Sequence, residues 1–433
     1  MAQNEFTTAE WKKIRKELNR APVAYGLPTR QYGSILVASF NIRKLGRLRQ
    51  SGDSGGRNEA TMRFLADVCR QFDLLAIQEV MPNMDGIRRL RELMGPDFGL
   101  LVSDVVGTFP GEPGNEERLA FIYNRTYVRR SELVTEVTTS RTKILKTIAA
   151  YHNDLFKLME SDASAKKLRE YLEVTVPEWE QSVAGGSKKR KPKPPSFSMK
   201  GLKQFLQFIR TPFAAGFEVH GHPGLERYAF LAVNAHLHFG EKSDRRNEAE
   251  ALVEWILGKL KGDHAKHVLL LGDLNFDFDN RKTDLKRVLE KFDRLGGFSG
   301  DFFVSFPFIV PHPRSLQDHP EGEIFRSNVS QTQTYDQIGI FSSDPRLGQR
   351  LQTTADGNHV ATEQWARPGG PDYGVFDFAD LFSRALKGKR MKELGKADRK
   401  SIISRFHHKV SDHMPIWFRM PLPEPTEGFS KEV

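Results

Sequence analysis

The sequence is poor in cysteine and has no long apolar run. Cys69 is the single cysteine among 433 residues, so an intramolecular disulfide is excluded and a reducing, intracellular setting is expected. No stretch approaches the roughly 20 apolar residues that a membrane-spanning helix needs. The charged first residues, MAQNEFTTAEWKKIRKEL, contain no apolar signal segment. We therefore expect a cytoplasmic protein without membrane insertion.

Acidic residues are outnumbered by basic ones. The chain has 65 Lys and Arg against 55 Asp and Glu, which gives a formal net charge of +10. A basic surface attracts polyanions because binding releases their counterions and the protein field steers their approach. Many basic proteins nevertheless bind no polyanion. The charge therefore favours a nucleic-acid partner and does not by itself establish one.

Short apolar runs alternate with amphipathic helical patterns along most of the chain, which is typical of an α/β protein. Polar side chains are concentrated where the apolar runs begin or end. In an open α/β sheet, ligands collect at the carboxyl ends of the strands. The residues placed at such strand ends are Asn41, Glu79, Glu117, His236, Asp273, Asn275, Asp336, Asp412 and His413.

The clearest example is the segment HVLLLGDLNFDFDN, residues 267–280. The run Val268–Leu271 predicts a buried strand, Gly272 ends it, and Asp273 and Asn275 follow. Two residues that are two apart on an extended chain point to the same side, so one carboxylate and one amide can share a target. Taken alone, the segment is more often an Asx-rich turn. The same arrangement at the other strand ends favours a functional site.

The chemistry of these residues indicates a metal site. Five carboxylates that converge would repel one another unless a cation neutralised them. Oxygen ligands without thiolates suit Mg²⁺ or Mn²⁺, with Ca²⁺ as a supporting ion, and not structural zinc. Two histidines beside such a metal titrate near neutral pH and can contact a phosphate or act as acid and base. The combination favours phosphoester hydrolysis.

Seven short motifs occur in one order: SFNIRKLG, LLAIQEV, EERLAFIY, VNAHLHFG, GDLNFDFDN, TYDQIGIF and SDHMPIW. Together they resemble the endonuclease/exonuclease/phosphatase superfamily, most closely its deoxyribonuclease branch, which the pancreatic enzyme typifies. The resemblance covers residues 34–124 and 205–420. It implies an α/β fold, a four-layer sandwich of two packed mixed β-sheets flanked by helices, here with a helical insertion.

The resemblance also implies roles for individual residues. Asn41, Glu79 and Asp412 match residues of the family's metal site. Asp273 matches the aspartate that orients or activates the attacking water, and Asn275 matches the asparagine that holds the phosphate.

His236 and His413 match two histidines that face the phosphate. In the deoxyribonuclease branch each is held by a carboxylate, which here implies the pairs His236–Glu117 and His413–Asp336. A carboxylate raises the pKa of an imidazole and fixes its tautomer, so such pairs make physical sense. Arg210 resembles an arginine that contacts a DNA phosphate, and a surface arginine at a strand edge is the alternative.

The predicted strand that ends in His236 and His238 offers two histidines for one position of the family's site. The letters NAHL align with the family's usual THL, which favours His236 over His238, although His238 lies on the same side and can still support the site. Abasic-site endonucleases of this superfamily carry a tyrosine where His236 stands. That specialisation is therefore not expected here.

The predicted organisation is a single catalytic domain over residues 31–420, preceded by an N-terminal helical segment over 1–30 and followed by a C-terminal tail over 421–433. Residues 130–200 are predicted to form a helical, basic insertion within the domain. Its run Lys188–Lys193 is consistent with a solvated linker, a localisation signal or a phosphate-contacting arm. The insertion could grip DNA, form a lid or bind a protein partner.

Three functions are compatible with these observations. The first is a metal-dependent endonuclease that cuts DNA and leaves 5′-phosphate and 3′-hydroxyl ends, a product polarity that the resemblance implies. The second is a phosphatase or phosphodiesterase that acts on a lipid headgroup, an inositol phosphate or a nucleotide, because fold does not choose among these substrates. The third is an inactive nucleic-acid or partner-binding module. Retention of all the catalytic positions argues against the third.

Overall fold

A computed structural model of the chain describes most of the segments predicted to be folded. The described residues are 5–49, 56–106, 116–138, 166–186 except 168, 208–220, 227–239, 242–261, 265–275, 302–309, 324–344 and 372–422, with a few single residues and two short strands between them. Most of the predicted insertion, including nearly all of the run Lys188–Lys193, and the tail after residue 422 lie outside these ranges.

The first sheet has six strands in the order β13-β14-β1-β2-β4-β3. Strands β1 and β2 are parallel, and every other pair in this sheet is antiparallel. The strand bounds are β1 Ser34–Leu45, β2 Leu74–Val80, β3 Phe98–Val102, β4 Arg118–Asn124, β13 Asp372–Val375 and β14 Ile416–Pro421.

The second sheet also has six strands, in the order β5-β6-β7-β8-β10-β9. Here β7 and β8 are the parallel pair, so this sheet is mixed as well. The bounds are β5 Val128–Glu136, β6 Phe213–Val219, β7 Tyr228–His236, β8 His267–Asp273, β9 Phe303–Ser305 and β10 Asp336–Ser342. Two short strands, β11 Gln352–Thr353 and β12 His359–Val360, pair separately.

Seven α-helices lie within the described ranges: α1 Thr8–Arg20, α2 Glu59–Cys69, α3 Asp85–Met94, α4 Val176–Ala184, α5 Lys242–Lys261, α6 Phe378–Lys387 and α7 Lys396–Lys409. The predicted N-terminal helix is confirmed. Thr7 and Glu10 form a capping box at its start, and Trp11 is one of the residues that it buries in the main core. Of the helices in these ranges, none combines the length and apolar character needed to cross a bilayer.

The two sheets pack face to face, and alternate residues of one strand show the layers. Leu269 and Leu271 of β8 belong to the core between the sheets, whereas Val268 and Leu270 belong to a second core that Ile256 of α5 also enters. Such alternation follows from the period of two along a strand. Helices α1, α2, α3 and α6 cover the outer face of the first sheet. The predicted four-layer sandwich of two mixed sheets is confirmed.

Two local findings refine the sequence predictions. Strand β5 pairs with β6 as far as Glu136, so residues 130–136 are part of the sheet although they fall within the predicted insertion. Within the described part of that insertion, a π-helical turn, Tyr171–Thr175, leads directly into α4.

Cys69 is fully buried in α2, and burial raises the pKa of its thiol, as expected for an inert cysteine.

Candidate active site

Strand register brings three predicted site residues into one row. His236 at the end of β7 lies beside Asp273 at the end of β8, and Asp273 lies opposite Asp336 at the start of β10. Gly272 makes the close approach of β7 and β8 possible, because a Cβ there would overlap the carbonyl oxygen of Ala235. The row lies at the carboxyl ends of the parallel strands, where α/β sheets bind ligands.

Asp273 is the centre of the site. Its Oδ2 atom lies 3.6 Å from Nε2 of His236 and 3.6 Å from Nε2 of His413. The same oxygen accepts a 3.0 Å hydrogen bond from Nδ2 of Asn41, and Oδ1 accepts one from the backbone N–H of Asn275 at 3.1 Å. Burial raises the pKa of Asp273, but the two imidazoles and these hydrogen bonds lower it more. Asp273 is therefore a carboxylate at neutral pH.

His236 is held by a buried carboxylate. Its Nδ1 atom lies 2.8 Å from Oε2 of Glu117, so Nε2 is directed towards Asp273. Burial and the charge of Arg210 lower the pKa of His236, but the hydrogen bond to Glu117 and the two nearby carboxylates raise it more. The net pKa is above the ordinary value for histidine, which favours the protonated ring.

Arg210 is not the surface arginine at a strand edge that was the alternative. Its side chain is buried, and its Nε atom lies 2.9 Å from Oε2 of Glu117. Arg210 also lines the same cavity as His236. The structure thus places it in the site, where it pairs with the carboxylate that holds His236.

His413 has the same kind of support from the other side. Its Nδ1 atom lies 2.7 Å from Oδ2 of Asp336, which is fully buried. Burial lowers the pKa of His413, but the charges of Asp336 and Asp273 raise it well above the ordinary value. Burial raises the pKa of Asp336, against the lowering effect of the imidazole. Both predicted histidine–carboxylate pairs are therefore present as contacts.

Glu79 reaches the site because the end of β2 is irregular. Gln78 is fully buried between the sheets, so regular alternation would turn Glu79 away from that interior. Glu79 instead has a φ of 58°, in the left-handed region, and its side chain lines the cavity. Its Oε1 atom accepts a 3.0 Å hydrogen bond from Nδ2 of Asn41, and its Oε2 atom accepts one from the backbone N–H of Lys44 at 3.1 Å.

A buried amide of the second sheet contacts the strands at this irregularity. Nδ2 of Asn234 donates to the carbonyl oxygens of Ile77 at 3.0 Å and of Ala120 at 2.9 Å, which face each other where the pairing of β2 and β4 becomes irregular. Oδ1 of Asn234 accepts a 2.7 Å hydrogen bond from Gln78. Asn234 therefore joins the two sheets at Ile77 and Gln78, the two residues that precede Glu79 on β2.

Asn275 faces the cavity, although not on an extended chain as the sequence predicted. Strand β8 ends at Asp273, and Asn275 has a φ of 50°. Its backbone N–H bonds to Asp273, and its Nδ2 atom donates to the carbonyl oxygen of Leu237 at 2.9 Å. The prediction of extended backbone was wrong. An Asx turn, which asparagine and aspartate favour, brings the amide to the same side.

Unpartnered oxygens show that a hard cation fits the predicted metal residues. Oδ1 of Asn41 and Oδ1 of Asp412 are both buried and have no hydrogen-bond partner. The other oxygen of Asp412 lies 2.6 Å from a guanidinium nitrogen of Arg43, and Glu79 lines the same cavity. Leaving buried oxygens unpaired is costly. Carboxylate and amide oxygens are the ligands that Mg²⁺, Mn²⁺ and Ca²⁺ take.

A second group of potential metal ligands overlaps the predicted catalytic residues. Asp273, Asp336 and His413 offer ligand atoms that all lie within 4.8 Å of one another. His413 and Asp336 already bond to each other, and Asp273 already accepts two hydrogen bonds. Oδ1 of Asp336 is also buried without a hydrogen-bond partner, so unpartnered oxygens occur both in this group and among the predicted metal ligands.

These residues surround a cavity of about 360 Å³. Eight of the ten predicted site residues line it, while Asn41 and Asp336 lie behind the wall and bond to residues that do. The lining residues are Arg43, Lys44, Glu79, Glu117, Arg210, His236, Phe239, Asp273, Asn275, Asn328, Ser330, Tyr335, Asp412 and His413. The structure thus brings the complete predicted set together, and the role of each residue stays a prediction.

The sequence reasoning missed several residues of the cavity wall. Arg43 lies two positions after Asn41 on β1, and the period of two alone could have placed it on the same side. Tyr335 directly precedes Asp336, and Phe239 follows His236 by three residues. The sequence does not indicate that the backbone N–H of Lys44 donates a hydrogen bond to Glu79. That contact is made at a residue with a φ of 48°, which only the structure shows.

Comparison with known proteins finds similarity at the level of structure only. No protein-family model and no curated protein sequence matches the chain. An endonuclease/exonuclease/phosphatase family protein from Bacteroides thetaiotaomicron is 13% identical with a TM-score of 0.40, and the match covers 90% of this chain and 98% of that chain. The human Nocturnin catalytic domain with a bound sulfate anion is 10% identical with a TM-score of 0.41, over 90% and 94% of the two chains.

D. rerio TDP2 complexed with a single-strand DNA product is 10% identical with a TM-score of 0.39, over 89% of this chain and 98% of that chain. The Bacteroides protein bears the name of the superfamily that the seven motifs resemble. The deoxyribonuclease branch stays a prediction. At these TM-scores, inference about chemistry depends on the site itself.

Proposed function

We propose that this protein is a divalent-metal-dependent phosphodiesterase, specifically an endonuclease that hydrolyses DNA to 5′-phosphate and 3′-hydroxyl ends. One observation carries the proposal. The carboxylate of Asp273 lies 3.6 Å from Nε2 of both His236 and His413, and each of these rings is held at Nδ1 by a buried carboxylate. This arrangement suits a phosphate, because it supplies two N–H donors and one carboxylate around a single point.

The charge states support this assignment of roles. The pKa values of His236 and His413 are both raised, which favours protonated rings whose Nε2–H groups can donate to a phosphate oxygen. The lowered pKa of Asp273 keeps it an acceptor, so it can orient the attacking water through a hydrogen bond. Asn275 lines the same cavity, and its Nδ2 atom carries a second hydrogen, besides the one donated to Leu237, that can be offered to the phosphate.

Asn41, Glu79 and Asp412 would hold the metal ion. When bound there, a divalent cation would polarise the phosphate and stabilise the charge that develops on the leaving oxygen. The oxygens of Asn41 and Asp412 that have no partner support this placement.

The basic character of the protein supports DNA as the substrate. Arg43, Lys44 and Arg210 line the cavity, and the whole chain carries a formal charge of +10. Cations beside a phosphodiester site add affinity for a polyanion by counterion release. The polarity of the products follows from the resemblance to the deoxyribonuclease branch. A cytoplasmic location, and a DNA or protein contact through the insertion, belong to the same proposal.

Incubation of the protein with supercoiled plasmid and MgCl₂, with and without EDTA, tests the proposal. We expect nicked circles that are lost with chelator and whose 5′ ends accept label from a kinase only after phosphatase treatment. Release of inorganic phosphate from soluble phosphoesters without nicking would favour a small-molecule phosphatase instead. Retarded mobility of DNA without any hydrolysis would identify an inactive binding module.

A further inference from the structure

One apolar ring stands at the cavity with most of its surface in water. Among the described residues, nine large apolar side chains are exposed, and Phe239 is the one of these that lines the cavity. Phe239 is 66% exposed, although burial of a phenylalanine side chain stabilises a folded protein. An exposed ring at this position is informative because it adjoins the candidate catalytic residues.

The ring lies close to the predicted catalytic histidines. Phe239 follows His236 by three residues, and it makes an edge-to-face contact with Tyr335, with ring centroids 6.3 Å apart. Tyr335 in turn lies against the ring of His413, at a centroid distance of 6.0 Å. The Phe239 ring therefore lines the cavity in contact with Tyr335, which itself contacts His413.

We infer that Phe239 forms a stacking platform for a nucleobase of the substrate, beside the phosphate that the cavity binds. This inference rests on the proposed function and narrows its substrate class to phosphodiesters that carry bases. Every base has a flat π-face, so an aromatic side chain can stack on it without regard to sequence.

The surroundings favour a base over a lipid. Apart from Phe239 and Tyr335, the cavity is lined by charged and hydrogen-bonding side chains, which give an acyl chain little apolar surface. Two rings beside a charged phosphate site match a nucleotide, which presents one flat base next to each phosphate. A sugar ring could also rest on an aromatic side chain, so the test must separate base from sugar.

The test compares two single-stranded substrates of equal length with the same 5′ fluorescein. One is an oligothymidylate, and the other carries tetrahydrofuran abasic units in place of the bases. For Phe239→Ala in MgCl₂, we expect KM for oligothymidylate to rise about tenfold while kcat changes little, because base–aromatic stacking contributes roughly 1–3 kcal/mol per base. KM for the abasic oligomer should stay unchanged.

Matched variants separate stacking from other effects. Phe239→Trp should keep the KM for oligothymidylate, whereas Phe239→Leu, apolar but not planar, should resemble Phe239→Ala. Tyr32→Ala is the control, because Tyr32 is 72% exposed and precedes β1 at the opposite end from Asn41. An equal rise in KM for both oligomers would assign the ring to the sugar-phosphate backbone and overturn the inference.

A binding measurement keeps the inference testable if hydrolysis fails. Fluorescence anisotropy of both oligomers in EDTA reports affinity without turnover. If neither oligomer is hydrolysed but Phe239→Ala weakens binding of oligothymidylate about tenfold and spares the abasic oligomer, the platform stands and the proposed hydrolysis is wrong. Equal affinity of Phe239→Ala and the unsubstituted protein for oligothymidylate would overturn the platform.

Discussion

Nδ1 of His236 and Oε2 of Glu117 lie 2.8 Å apart, and both side chains are buried. The pair joins the end of β7 in one sheet to the residue that precedes β4 in the other, so the imidazole is oriented by a residue far away in the chain. Glu117 also raises the pKa of His236 against the opposing effects of burial and Arg210. The pair therefore sets both the direction and the charge of the ring.

Glu117→Gln should move the alkaline limit of activity to lower pH. The raised pKa of His236 means that its proton is retained above the ordinary pKa of histidine and is lost as the pH rises through the raised value. A neutral glutamine removes the carboxylate that raises this pKa, so activity should fall at a lower pH. Profiles of kcat/KM against pH for both proteins measure the shift. Superimposable profiles would exclude protonated His236 from the mechanism.

Asp412→Asn should weaken metal binding. The substitution removes the negative charge of a predicted metal ligand whose Oδ1 atom is buried without a hydrogen-bond partner. We expect the Mg²⁺ concentration for half-maximal activity to rise by about tenfold or more, as for loss of other ligands or their supports. Asp398→Asn is a matched control, because Asp398 is an exposed aspartate that pairs with Lys387. An unchanged Mg²⁺ requirement would move the metal to the group that contains Asp336.

Asn234→Ala should impair both folding and metal affinity. It removes both hydrogen bonds of Asn234 to the carbonyls of Ile77 and Ala120 and leaves them buried, which costs about 2–4 kcal/mol of unfolding free energy. Because these contacts support the irregular end of β2, the Mg²⁺ requirement should rise as well. Urea unfolding and Mg²⁺ titration measure the two effects.

Ser39→Ala offers the control for that experiment. Ser39 touches the same buried network through Gln78 at 3.2 Å but bonds to neither carbonyl. Ser39→Ala should lower the free energy of unfolding less than Asn234→Ala does, and it should leave the Mg²⁺ requirement unchanged. Equal effects of the two substitutions on the Mg²⁺ requirement would show that Asn234 does not position Glu79.

Asp377→Asn should change how stability depends on pH. Burial raises the pKa of Asp377 from 3.8 to about 6, so its contribution to folding is fully present below pH 4 and is lost as the pH rises through 6. Asparagine can cap α6 equally well and does not titrate. Relative to the unsubstituted protein, the variant should gain up to about 3 kcal/mol of unfolding free energy between pH 4 and pH 7. If urea titrations show the same difference in unfolding free energy between the two proteins at every pH in this range, the raised pKa of Asp377 would be contradicted.

The sequence predicted the residues of the site better than their geometry. Polar residues at strand ends such as Asn41 and Asp273 follow from apolar runs that stop, and the ordered motifs supplied their grouping. The left-handed φ of Glu79 could not be predicted, because it depends on the irregular pairing of β2 with β4. The same holds for Asn234, which reads in sequence as one polar residue inside an apolar strand.

One stretch of the fold was predicted incompletely. After α6 the structure has a short 3₁₀ turn and then α7, and no helix was predicted from the sequence over the residues of α7. Helix α7 was missed because it is mostly polar and buries few apolar residues, among them Ile402 and Phe406. A helix with so narrow an apolar face gives a weak periodic signal, and packing against the rest of the protein stabilises it.

The central claim is that Asp273, between the imidazoles of His236 and His413, directs metal-dependent hydrolysis of a phosphodiester. The most direct test is the initial rate of plasmid nicking in MgCl₂ by the unsubstituted protein and by Asp273→Asn, with urea unfolding to verify that both are folded. We predict EDTA-sensitive nicking that the substitution reduces by about a thousandfold or more, as expected when a group that orients the attacking water is lost. Nicking at an undiminished rate by a folded Asp273→Asn protein would contradict the claim.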